Sequence, residues 1–159
     1  MQERILRILE ENGAIDAAQI AVMLDTEVGQ VCEIIDDMKR KGIILKYKAL
    51  IDWEKTGSEV VTAYIELRVT PQRGEGFDKI AERVYQYPEV KSVYLMSGSY
   101  DLAVVIEGQN MKNVALFVAE KLAPMENVVS TKTHFILKKY KEDGVVFESE
   151  RVDERVIMG

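Results

Sequence analysis

The residues Gly98-Ser99-Tyr100-Asp101-Leu102 lie between two runs of alternating apolar residues and read as a turn joining two strands. A glycine-centred turn exposes backbone N–H groups that can hold a carboxylate, while Asp101 offers an acceptor for an ammonium group. Those two complementary charges describe an amino-acid zwitterion. Thr131 and Thr133, two apart on the last expected strand, share a face and could add hydroxyl contacts. The candidate effector-binding set is therefore Ser97, Gly98, Ser99, Tyr100, Asp101, Thr131 and Thr133. A plain hairpin turn that needs Gly and Asp for its geometry accounts for the same residues, and on residue types alone both readings stand.

A second cluster is basic. Lys39, Arg40, Lys41, Lys46 and Lys48 fall in one ten-residue window, with Gln30 upstream on the same expected helix. Gln30 suits a base edge, and Lys39, Arg40, Lys46 and Lys48 suit phosphate oxygens, which makes these five the candidate DNA-binding set. A solvated helix end explains the charges equally well. No nucleophile, phosphate loop or metal-ligand spacing is visible. The single Cys32 cannot form an internal disulfide, and the single His134 alternates with Thr133 and Phe135 on a strand, where histidine is more often a sheet residue than a base. No catalytic residue, metal or cofactor is expected.

The elements that carry these residues follow from hydrophobic period. Residues 2–11 repeat apolar side chains at helical spacing and stop at Asn12-Gly13. Asp16, with Gln19 three residues on, forms a capping box before Ile20, Ala21 and Leu24. A third helix over about 27–41 has Val28, Val31, Ile35 and Met38 as its expected buried line and ends at Gly42. The three helices make a helix-turn-helix, and residues 43–51 read as a strand pair, or wing, beside it. The period then changes from 3.6 to 2. Residues 60–70 form a half-buried strand, Phe77 to Tyr85 a helix, Val90 to Met96 and Tyr100 to Glu107 two strands, Asn110 onward a helix, and Val128 to Tyr140 the last strand. The order βαββαβ is a ferredoxin-like arrangement. The expected organisation is an α+β chain: a winged helix-turn-helix over 1–51, a hinge over 52–59, a ferredoxin-like domain over 60–140 and an acidic C-terminal extension over 141–159. Val145 to Phe147 and Val156 to Met158 in that extension suit packing on a partner subunit.

Composition fits two small packed domains: 159 residues, 47% of them hydrophobic. No apolar run is long enough for a membrane span and the N-terminus has no signal-peptide layout, so a cytoplasmic location is expected. The net charge of −6 argues against a nucleic-acid binder, yet the basic window shows that distribution matters more than the sum.

In order and spacing, Gly42-Ile43-Ile44 with Tyr47, Ala49 and Asp52, then Gly98 with Tyr100-Asp101-Leu102, then Val128 to Thr131, Thr133 and Leu137 to Lys139 with Lys141 resemble the Lrp/AsnC family over about residues 1–141. The resemblance implies an N-terminal module that binds double-stranded DNA. It also implies a C-terminal module that dimerises through its sheet, assembles further, to an octamer, and senses a small effector, commonly an amino acid. One departure stands out: positions that are commonly basic in the family fall on Cys32, Glu33 and Asp36, and its usual serine cap falls on Glu27. Outward carboxylates repel phosphates, so weaker and more salt-sensitive DNA binding is expected than in an arginine-rich relative. An oligomeric effector sensor that acts through a partner is the alternative. Some proteins of this architecture are sirohaem decarboxylases, a third and remoter reading that would fall on His134.

Overall fold

The computed structural model describes residues 1–148, and the chain divides into two compact units, Met1–Ile51 and Asp52–Gly159. The first holds three helices, α1 (Gln2–Glu11), α2 (Ala17–Leu24) and α3 (Val28–Arg40). Ile5, Leu9, Ile20, Ala21, Leu24, Val31 and Met38 form its core. Helix α2 starts as its sequence requires: Asp16 accepts from the Gln19 N–H at 2.8 Å while Gln19 Oε1 accepts from the Asp16 N–H at 3.3 Å. Asp25, in a left-handed conformation (φ 51°), turns the chain into α3. Gly42 (φ 69°) closes α3: its N–H donates to the Lys39 carbonyl and the Ile43 N–H to the Met38 carbonyl, which satisfies carbonyls that the helix leaves unpaired. Val28 is exposed rather than part of the buried line, because it sits in the first turn, beyond the helices that cover Val31 and Met38.

The expected wing does not form as a paired strand. Residues 43–51 carry no ladder hydrogen bonds, and Ile43, Leu45, Leu50 and Ile51 are exposed. The physical reason is local: Lys46-Tyr47-Lys48 has no residue suited to a tight turn, and the apolar side chains find no cover within their own unit. Ile44 alone packs on the helical core, while Tyr47 lies against Gly13.

The second unit is a four-stranded antiparallel sheet in the order β2-β3-β1-β4, with β1 Val61–Val69, β2 Val90–Leu95, β3 Leu102–Gly108 and β4 Val128–Ile136. Helices α4 (Asp78–Tyr85) and α5 (Met111–Phe117) follow β1 and β3, which is the βαββαβ order expected. Ala63, Ile65, Leu67 and Val69 of β1 point to the helical side. There they meet Leu102, Val104 and Ile106 of β3, Ile80 and Val84 of α4, and Val114 and Phe117 of α5. A π-helical turn over Val118–Leu122 extends α5 and keeps Val118 and Leu122 in the same core. Strand β4 stops at Ile136 rather than Tyr140, because its last partner on β1 is Thr62. Beyond it a short hairpin pairs β5 (Lys141–Glu142) with β6 (Val145–Val146) across Asp143-Gly144, both at positive φ. The hairpin was not anticipated within the C-terminal extension, although Asp-Gly is its sequence signal. Val156 to Met158 lie outside the described residues.

Gly108 ends β3 where α5 begins, and a Cβ there would stand 2.9 Å from Val114 Cγ2. Gly108→Ala should therefore cost about 1–3 kcal/mol through overpacking. Combined with Val114→Ala, the loss in denaturant titration should be smaller than the sum of the two single losses.

Candidate functional site

On the first unit, α3 buries Val31 and Met38, which turns Gly29, Glu33, Asp36 and Arg40 to the opposite side. All four are exposed. Gln30, beside this face, has its Oε1 taken by the Thr26 hydroxyl at 2.6 Å. At the far end of the helix Asp37 binds Lys41 at 2.7 Å and Arg40 at 3.6 Å. The hydrogen bond from Lys41 holds the Asp37 carboxyl below the usual carboxylate range. The basic cluster is thus less free than a count suggests: Arg40 is shared with Asp37, and the Lys39 ammonium stands 5.2 Å over the Tyr47 ring. Lys46 and Lys48 are exposed on the irregular stretch that follows.

On the second unit, the turn is anchored by backbone at both ends. The Met96 N–H donates to the Asp101 carbonyl at 2.8 Å, and the Asp101 N–H to the Leu67 carbonyl at 3.0 Å. The Asp101 carboxylate then accepts from the Val69 N–H at 2.8 Å, at the point where β1 shifts register against β4. Strand β3 has ended there, so a side-chain oxygen takes the place of its next carbonyl. Asp101 therefore serves the fold whatever else it binds, and removing its carboxylate would disturb β1 as well as any ligand. Gly98 shows the reverse: its φ is not positive and a Cβ would meet nothing within 4 Å. Neither turn geometry nor crowding explains this glycine. Ser97 and Ser99 beside it are exposed.

Tyr100 turns to the sheet face away from the helices, where its hydroxyl meets the Tyr64 hydroxyl at 2.5 Å with the rings edge to face. His134, paired across the ladder with Tyr64, hydrogen-bonds Glu66 through Nε2. Tyr64, Glu66, Tyr100 and His134 thus form one polar cluster on this face. Sequence reading missed Tyr64 and Glu66; alternation along β1 puts them on one face, but contact with residue 100 needs the register. Thr131 and Thr133 do share a face, as expected, but it is the other one: they pair with the inward residues Leu67 and Ile65 and are half-buried. The structure brings Tyr100 to a sheet face that neither threonine shares. An open depression of about 510 Å³ elsewhere in this unit, lined by Trp53, Gly57 to Val61 and Gln109 to Met111, includes none of residues 97–101.

The Lrp/AsnC ligand binding domain model matches residues 62–146. The chain belongs to the Lrp/AsnC family. An uncharacterized HTH-type transcriptional regulator of Bacillus subtilis, YugG, is 52% identical over 158 residues, 99% of this chain and 95% of that protein. FL11, an HTH-type transcriptional regulator of Pyrococcus furiosus, is 26% identical and covers 89% of this chain and 91% of its own length. Among solved structures, a transcriptional regulator of Neisseria meningitidis in complex with L-Met superposes with a TM-score of 0.72 at 22% identity, over 89% of this chain and 90% of that one. E. coli AsnC gives 0.68 at 17% identity, over 89% and 93%. These superpositions show the fold. Lrp/AsnC relatives are named transcriptional regulators, and among the described residues no helix is long and apolar enough to cross a membrane.

The hydrogen bond to Tyr100, then burial, push the Tyr64 phenol up from 10.0 to about 12. The folded chain favours the neutral phenol, so this stabilisation is complete below pH 10 and is lost as pH rises through about 12. Ring-labelled tyrosine NMR should show Tyr64 titrating at about 12 in the wild type and nearer 10.0 in Tyr100→Phe.

Proposed function

We propose that this chain is a sequence-specific, DNA-binding transcriptional regulator of the Lrp/AsnC type, gated by a small effector, most simply an amino acid, held at Ser97 to Asp101. The observation that carries the effector half is Gly98, a glycine that the turn itself does not require. A missing side chain there leaves backbone N–H groups open to a carboxylate from outside. The Neisseria relative bound to L-Met supports the ligand class. Tyr100 sets the neighbouring wall, and Asp101 adds negative charge beside it while holding Val69. Thr131 and Thr133 contribute to such a site only by rearranging or from another subunit.

The protein acts as a cytoplasmic homo-oligomer in this reading, built on the sheet face away from the helices, where Tyr94 and Ile136 are exposed beside the polar cluster. The effector works by linkage: it favours one assembly over another, and the assembly sets DNA affinity. Residues 52–59 serve as the hinge between the helix-turn-helix module and the sensing domain, and the C-terminal extension packs on a partner subunit. Glu33 and Asp36 favour a second reading, a sensor that acts through a partner protein, because both place negative charge on the outer side of α3.

Selection of fragmented genomic DNA on the purified chain, with and without mixed amino acids, tests the proposal. Salt-sensitive sites that shift with the mixture are expected; no enrichment even at low salt would make the partner-dependent sensor the better account. In Gly98→Val, DNA enrichment and melting temperature should hold while the shift disappears, and a retained shift would remove Gly98 from the effector site. Lys46→Ala with Lys48→Ala should lower affinity at all sequences alike and reduce the slope of log affinity against log salt by about 2.

A further inference from the structure

We propose that Gln30 and Glu33 read two adjacent base pairs in the major groove of duplex DNA, an A·T pair through Gln30 and a C·G pair through Glu33, with Thr26 as the positioning residue for Gln30. This rests on the DNA-binding reading above and gives it a base code.

Gln30 is held before any DNA arrives. The Thr26 hydroxyl, four residues back and just past the corner made by Asp25, donates to Gln30 Oε1 at 2.6 Å. That bond uses one lone pair of an exposed side chain and leaves the second lone pair and both Nε2 protons without a partner among the described residues. One acceptor beside one donor is the pattern that adenine N6 and N7 require. Glu33 lies one turn further along the same side of α3, exposed, with no hydrogen-bond or ion-pair partner among the described residues. Glu3 and Asp37 differ in this respect, being paired with Arg7 and Lys41. A carboxylate can only accept, and in the major groove the amine donors are cytosine N4 and adenine N6; the adenine amine lies beside the N7 acceptor, which opposes a carboxylate, so cytosine N4 answers Glu33 better. A guanine or thymine edge at that step would set oxygen acceptors against the carboxylate, so the wrong base is rejected as well as the right one bound.

Gly29 is the independent observation. It stands at the second position of α3. Its φ is not positive, and a Cβ would meet nothing within 4 Å. Nothing within the unit calls for it, whereas a groove wall pressed against the first turn of α3 beside Gln30 does. Three residues advance about 4.5 Å along a helix, which keeps Gln30 and Glu33 within reach of neighbouring base pairs.

Random duplex DNA selected in parallel on full-length wild type, Glu33→Gln and Thr26→Val tests the code. The wild type should enrich an A·T pair next to a C·G pair. Glu33→Gln, nearly isosteric at an exposed position, should lose roughly tenfold of its preference for C·G at one position. Its affinity for unrelated DNA should hold or rise as a negative charge is removed. Thr26→Val should relax the A·T position alone. A wild-type motif lacking these pairs, or an unchanged motif from Glu33→Gln, overturns the code and leaves the DNA-binding reading in place. No enriched DNA from the wild type overturns both.

Discussion

The second unit depends on β1 being bonded along both edges, to β3 from Val61 to Leu67 and to β4 from Thr62 to Val69. A strand held on both sides cannot slip by one residue without exchanging its faces. Such a slip would expose Ile65 and Leu67, now fully buried, and drive Tyr64 and Glu66 into the helical layer. The cost of that exchange fixes which residues can meet the 97–101 turn. Because the ladder with β3 ends at the pair Leu67 and Leu102, Asp101 is the residue that lies opposite the unpaired Val69 N–H, and its carboxylate supplies the missing acceptor.

From that anchor the roles of neighbouring turn residues separate. Asp101 is bound into the backbone and Tyr100 is held against Tyr64, whereas Gly98 answers to nothing inside the unit. A turn with a fixed base and an unencumbered tip presents its backbone N–H groups to a ligand at little entropic cost. The polar cluster beyond Tyr100 extends the same logic. In the proposed assembly a partner covering Tyr64, His134 and Glu66 would have to meet their hydrogen-bonding needs, which would make this face sensitive to how that partner is seated.

Periodicity was a good guide where a segment packs on its neighbours in sequence. The three helices, the capping box at Asp16, the stop at Gly42 and the inward residues of β1 all follow from spacing, because each is a local or single-face property. Features that depend on long-range register were not legible. Thr131 and Thr133 share a face, but only the pairing with Leu67 and Ile65 shows that it is the helical one. Likewise, the Asp101 contact with Val69 spans 32 residues and has no sequence signature. The wing failed for a different reason: β-branched and apolar residues at 43–51 have strand propensity, and propensity without a partner edge does not make a strand.

The acidic character of α3 need not oppose DNA binding, since affinity and discrimination arise from different groups. In the proposed reading phosphate contacts supply affinity; Asp37 already engages Arg40 and Lys41 and Lys39 stands over Tyr47, which would leave Lys46 and Lys48 the freest for that load. Base-edge contacts supply discrimination, and a carboxylate discriminates strongly because a mismatched edge leaves it desolvated and opposed by oxygen. On the proposed base code a single module of this kind would bind weakly and choose sharply. Occupancy of an operator then requires several modules acting together, each added contact being intramolecular once the first is made. In such a protein the state of assembly controls DNA binding more steeply than it would for a module that binds tightly alone, and an effector that acts on assembly has the most leverage where the recognition helix has the least affinity of its own.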